Sequence, residues 1–72
     1  MKKFRDNTGV MEFQNFEEFR RSLRYMTRYG ISPITEDELN RIWNGEELLI
    51  HYGVGPSKIV ETDPDVEVYM NA

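Results

Sequence analysis

The apolar residues of this chain change their spacing twice, and a chain that does so can fold only as a small mixed structure. Before Asn15 and after Gly45 they come in short runs of the kind that form strands; between those points they recur at helical intervals. At about 100° per residue, Phe16, Phe19, Leu23, Met26 and Tyr29 fall on one arc, with Arg20, Arg24 and Arg28 opposite them. Asn15 is a favoured N-cap, and Glu18 three residues on suits a capping box with Asn in place of Ser or Thr. Gly30 offers the left-handed stop, with Ile31 placed for the apolar contact that accompanies it. The spacing predicts a helix over 16–29.

A second helix is expected over 36–44. Thr35 and Glu38 form a capping box, Ile34 and Leu39 occupy the staple positions, and three acids fill the first turn where the helix dipole favours them. Leu39, Ile42 and Trp43 make its apolar face, and Asn44-Gly45 ends it. Before the helices, Phe4 and Val10–Phe13 flank Asp6-Asn7-Thr8-Gly9, a hairpin with a glycine-containing turn. After them come Leu48–Tyr52, a break at Gly53–Ser57, Lys58–Thr62, a turn at Asp63-Pro64-Asp65, and the alternating run Val66–Met70. The expected fold is α+β: one domain over residues 1–72, with an N-terminal hairpin, two helices, and C-terminal antiparallel strands, two or three in a meander, packed on the helices.

Composition excludes several classes. The chain has 72 residues, of which 39% are hydrophobic, and such a size leaves little room for a deep pocket beside the core. Without cysteine there are no disulfides or thiolate metal sites, and with one histidine an ordinary zinc site is hard to build. Arg5, Asp6 and Asn7 stand where a signal peptide needs apolar residues, and no run is long enough to span a membrane. The expected location is a reducing cytoplasm, and no metal or other cofactor is expected.

Charge is unevenly divided. Residues 1–30 carry a balance of +3 and residues 31–72 one of −7, within a net −4. Two opposite fields on a small body steer and orient partners, although the two halves also answer each other. The stripe Arg20, Arg24 and Arg28 reads as a face for phosphates or carboxylates, or as the solvated side of an amphipathic helix with Glu17 answering part of its charge. The acidic set Glu36, Asp37, Glu46, Glu47, Glu61, Asp63, Asp65 and Glu67 reads as a mimic of nucleic-acid phosphates or as ordinary solubilising charge.

Four further patterns fail on their chemistry. Helix–turn–helix binding to the major groove would present Glu36, Asp37 and Glu38 to phosphate. The Gly53–Lys58 segment lacks Walker spacing, and Pro56 removes a backbone donor. Asp63, Asp65 and Glu67 lack the glycine and the bidentate acid of a calcium loop. His51, Ser57 and an acid make a triad only on paper, with no shaped cleft to hold them, and enzymatic activity is not expected.

In size, acidity, aromatic content and lack of cysteine the chain resembles small antagonist proteins encoded by phages and mobile elements, among them anti-CRISPR proteins and inhibitors of host polymerases or repair enzymes. The likeness lies in composition and assigns no residue. The expected function is that of a non-enzymatic protein-binding inhibitor or regulator occupying a surface of another macromolecule, a nucleic-acid-processing complex being one such partner. Arg20, Arg24, Arg28, Tyr25 and Tyr69 are the expected anchors, as Tyr and Arg dominate interface hot spots. Direct nucleic-acid binding through the stripe and a charge-paired homo-oligomer are the alternatives.

Overall fold

A computed structural model describes residues 1–29, 32–52 and 55–70. The order is β1 (Lys2–Asp6), β2 (Gly9–Phe13), α1 (Phe16–Thr27), α2 (Glu36–Trp43), β3 (Leu48–Tyr52), β4 (Gly55–Thr62) and β5 (Tyr69–Met70). The strands form one antiparallel sheet in the order β3-β4-β1-β2-β5. Both helices pack on the sheet, α1 against β2 and β3 and α2 against β4. The α+β class read from the sequence is the observed one.

The core grows from the apolar positions of each element. Phe4, Phe19, Leu23, Leu39, Ile42 and Ile59 are fully buried. An aromatic cluster ties the layers: the Phe4 ring lies 4.7 Å from Phe19 and 5.8 Å from Trp43, and Phe13 meets Phe19 edge-on at 5.3 Å. Both predicted N-caps form. Asn15 Oδ1 accepts the Glu18 N–H at 2.9 Å, and the Thr35–Glu38 box closes in both directions at 3.1 and 2.9 Å. The staple residues Ile34 and Leu39 are both buried.

Helix α1 stops at Thr27, two residues short of the expected end, with Arg28 as its C-cap still in the right-handed helical region, and Thr27 itself is turned inward. Its hydroxyl donates to the Leu23 carbonyl at 2.8 Å and accepts the Ile34 N–H at 3.2 Å, stitching the end of α1 to the approach of α2. Tyr29, expected on the apolar arc, lies beyond that end and is 77% exposed. The expected cap at Gly30 and Ile31 lies outside the described residues. Helix α2 ends at Trp43, and Asn44 caps it, with Gly45 next at φ 105°.

Two strand expectations are corrected. The expected break at 53–57 reaches into a strand: Gly53 and Val54 lie outside the described residues, but Gly55, Pro56 and Ser57 belong to β4. Pro56 is tolerated because β4 pairs with β1 only from Val60 to Thr62, so on that side no neighbouring strand asks Pro56 for an N–H. Of the C-terminal strands, β3 and β4 pair consecutively and antiparallel as expected, but the third does not continue the meander. Strand β5 pairs with β2, which puts the hairpin β1–β2 between β4 and β5.

The last strand is two residues long, although alternation predicts five. Val66 is already committed: its N–H donates to the Asp63 carbonyl at 3.0 Å, and its carbonyl accepts Lys3 Nζ at 2.6 Å. Lys3 neighbours the core residue Phe4 along β1 and so points to the sheet face away from the helices. The connection from β4 to β5 therefore passes that face, where Val10 is fully buried.

At the turn between β1 and β2, the Asp6 carboxylate gathers three donors. Thr8 N–H and Thr8 Oγ1 reach Oδ1 at 2.8 and 2.6 Å, and the Tyr52 hydroxyl reaches Oδ2 at 2.7 Å. Burial first, then this bond to Asp6, pushes the Tyr52 phenol well above its usual range. Ser57 Oγ accepts the Asn7 N–H at 3.2 Å, fastening the turn to β4.

Candidate protein-binding groove

Helix α1 presents two polar sides with different fates. On one side, Glu36 at the start of α2 accepts Arg20 at 3.0 Å and Arg24 at 2.8 Å on the same oxygen, and Glu17 pairs with Arg20 from within the helix. The bond to Arg20 holds the Glu17 carboxyl below its usual range, and the bonds to Glu17 and then Glu36 hold Arg20 above its own. A shallow depression of about 340 Å³ lined by Glu17, Arg20, Arg21 and Arg24 marks this side. Arg28 lies 3.6 Å from the Tyr25 ring centroid and 4.5 Å from that of Tyr29, and it donates to the Tyr25 carbonyl at 2.6 Å. The three expected cations are thus present on the surface but engaged within the chain.

The other side opens onto a groove of about 590 Å³ between α1 and the outer edge of β2. Its lining joins Val10, Met11, Glu12 and Phe13 of β2 to Glu18, Arg21, Ser22, Tyr25 and Met26 of α1, with Val68 at the end. The groove exists because β5 covers only Gly9 and Val10, leaving Met11–Phe13 without an outer strand among the described residues. Tyr25 stands at its rim, 65% exposed, with one ring face under Arg28. Arg21 makes no ion pair or side-chain hydrogen bond among the described residues.

Of the residues expected as anchors, Tyr25 is therefore in the groove, Arg20 and Arg24 are behind it, and Arg28 supports Tyr25. Tyr69 enters β5 opposite Val10, beside the groove. Met11, Met26, Val68, Glu18 and Arg21 were not anticipated as neighbours. Met26 carried a signal as part of the apolar arc, but nothing local marked the missing outer strand that leaves the groove open.

The acidic set is also largely internal. Glu36 serves the arginines; Asp37 and Glu46 flank Arg41 at 3.6 and 3.0 Å; Glu47 meets Lys58 at 3.0 Å and Glu61 meets Lys2 at 3.7 Å. Asp63 Oδ1 accepts the Asp65 N–H at 2.9 Å, so it shapes its turn. Asp65 and Glu67 make no ion pair among the described residues. No set of three or more acidic, histidine or cysteine side chains is arranged to hold a metal among the described residues. His51 and Ser57 face opposite sides of the sheet, since His51 pairs with Pro56 and Ser57 with Ile50.

No helix among the described residues is long and apolar enough to cross a membrane. Comparison with family models, curated proteins and solved structures finds no match to this chain.

Proposed function

We propose that this chain is a small non-enzymatic protein-binding module, an inhibitor or regulator that occupies a surface of another macromolecule through the groove between α1 and β2. The observation carrying this reading is the groove itself: an open apolar trough bordered by an exposed tyrosine and by Arg21, which makes no ion pair or side-chain hydrogen bond among the described residues. Tyr, Arg and Met are the residue types enriched where interfaces gain most of their energy. The groove's polar groups, Glu12, Glu18, Arg21 and Ser22, include no histidine or lysine base beside the serine, which favours binding over catalysis. In its narrowest form the proposal makes the partner a nucleic-acid-processing complex, as for the phage-encoded antagonists that the composition resembles.

Direct nucleic-acid binding has weaker support, because Arg20 and Arg24 already share Glu36 and phosphate would have to displace it. The deciding experiment is capture of partners by the tagged chain from a lysate of its source cells, after nuclease treatment. The expected result is a protein retained by the wild type and by Arg24→Gln, and lost with Arg21→Glu and Tyr25→Ala. Retention by both groove variants, or loss of every partner on nuclease treatment, contradicts the proposal.

A further inference from the structure

Resting on that protein-binding reading, we infer that the outer edge of β2 at Met11–Phe13 takes an extended segment of the partner by strand addition, and that this segment carries a basic residue opposite Glu12 between two apolar residues. The register explains both halves. Strand β5 pairs Met70 with Gly9 and Tyr69 with Val10. Carried on, the same register would set Val68 opposite Met11, Glu67 opposite Glu12 and Val66 opposite Phe13. The chain's own segment thus has the alternation to complete the edge but does not do so. Val66 is held elsewhere by Lys3 and by the Asp63 carbonyl. The extension would also place two carboxylates directly across from each other, which destabilises a strand pair.

An incoming segment with a lysine or arginine at the central position replaces that repulsion with attraction. Glu12 has capacity for it, since beside a 3.5 Å hydrogen bond from Gln14 its only ion pair among the described residues is a long one, 3.9 Å to Lys3, whose amine is bonded to the Val66 carbonyl. Cross-strand neighbours share a sheet face. Met11 and Phe13 alternate with Glu12 and pack with the core beneath α1, so the residues opposite them enter the groove beside Tyr25 and Met26. Main-chain hydrogen bonds along the open edge supply affinity, and alternate side chains supply selection.

The test titrates the isotopically labelled full chain with two synthetic peptides, acetyl-Thr-Val-Lys-Val-Thr-amide and its twin with Glu at the centre. Amide shifts at Met11–Phe13 and along the groove side of α1 are expected, with the Lys peptide binding roughly five-fold more tightly than the Glu peptide. Glu12→Gln should level the two and Glu12→Lys should reverse them, each variant keeping the native amide spectrum elsewhere. Equal affinities in the wild type, shifts away from this edge, or no binding at millimolar peptide overturn the inference. Concentration-dependent shifts at Met11–Phe13 without peptide would assign the edge to a second copy and overturn it as well. A captured partner lost with Tyr25→Ala but indifferent to Glu12→Lys would remove strand addition while leaving the groove as the docking face. Peptide binding at the edge with no protein retained from lysate would leave the edge chemistry intact and remove the reading beneath it.

Discussion

Arg20 and Arg21 are neighbours on one helix and both border the depression beside Glu17, yet only Arg21 also reaches the groove and only Arg20 is ion-paired among the described residues. Arg20 is bridged by Glu17 and by Glu36, which also holds Arg24. Arg21 borders the apolar groove with no such partner among the described residues. A charge stripe read along a helix gives its direction, whereas its availability depends on what the next helix brings opposite. Here the first residue of α2 turns the most regular basic feature of the sequence into an interhelix clamp and leaves the irregular cation for a partner.

The inward face of α1 sets the scale against which both polar sides are judged. Phe19→Ala empties the centre of the aromatic cluster and should cost about 3–5 kcal/mol of unfolding free energy in urea titration. Tyr52→Phe comes next: it leaves a buried Asp6 oxygen without its donor and should cost about 1–3 kcal/mol. The same pair fixes a pH dependence. Burial and then the Asp6 bond raise the Tyr52 phenol above its ordinary value of 10.0, so the native state holds this proton more firmly than the unfolded chain does. Its contribution is full below pH 10 and is lost progressively as the pH rises beyond that. Urea titrations on the alkaline side of pH 10 should show a decline that Tyr52→Phe reduces; an unchanged slope in the variant would contradict the assignment.

Loss of the α2 cap by Thr35→Ala should cost about 1 kcal/mol and loosen the position of Glu36. Glu36→Gln addresses the comparison itself. Its effect on stability should be smaller than any of these, since exposed ion pairs contribute little. It should nevertheless release Arg24 and leave Arg20 with Glu17 alone, so that retention on immobilised heparin rises above wild type. Equal retention would mean that the stripe was never engaged. Tyr25→Ala should change stability least, within about 0.5 kcal/mol, while removing the rim of the groove.

Local chemistry was readable in the sequence where the deciding contacts lie within a few residues. The caps at Asn15 and Thr35, the staple of Ile34 and Leu39, and the apolar arcs of both helices apart from Tyr29 follow from spacing. The misreadings arise where a distant residue decides. Thr27 is buried because its hydroxyl joins Leu23 to Ile34 seven residues on, and Val66 is held away from β2 by Lys3, from the other end of the chain, which takes its carbonyl. Pro56 joins a strand because its neighbour on one side begins only further along. The groove inherits this difficulty, since it is made by the shortness of β5. Tyr25 was identifiable because it stands off the apolar arc; Arg21 was not, because its freedom is defined by the partners that Arg20 and Arg24 have.

The most direct measurement is guanidinium NMR on the full chain, comparing rotation about the Cζ–Nε bonds of Arg20, Arg21 and Arg24. Separate Nη signals for Arg20 and Arg24, beside an averaged signal for Arg21, are the predicted result. Averaged signals for all three, or restriction at Arg21 with freedom at Arg20 and Arg24, would contradict the division of α1 into a clamped side and an open one.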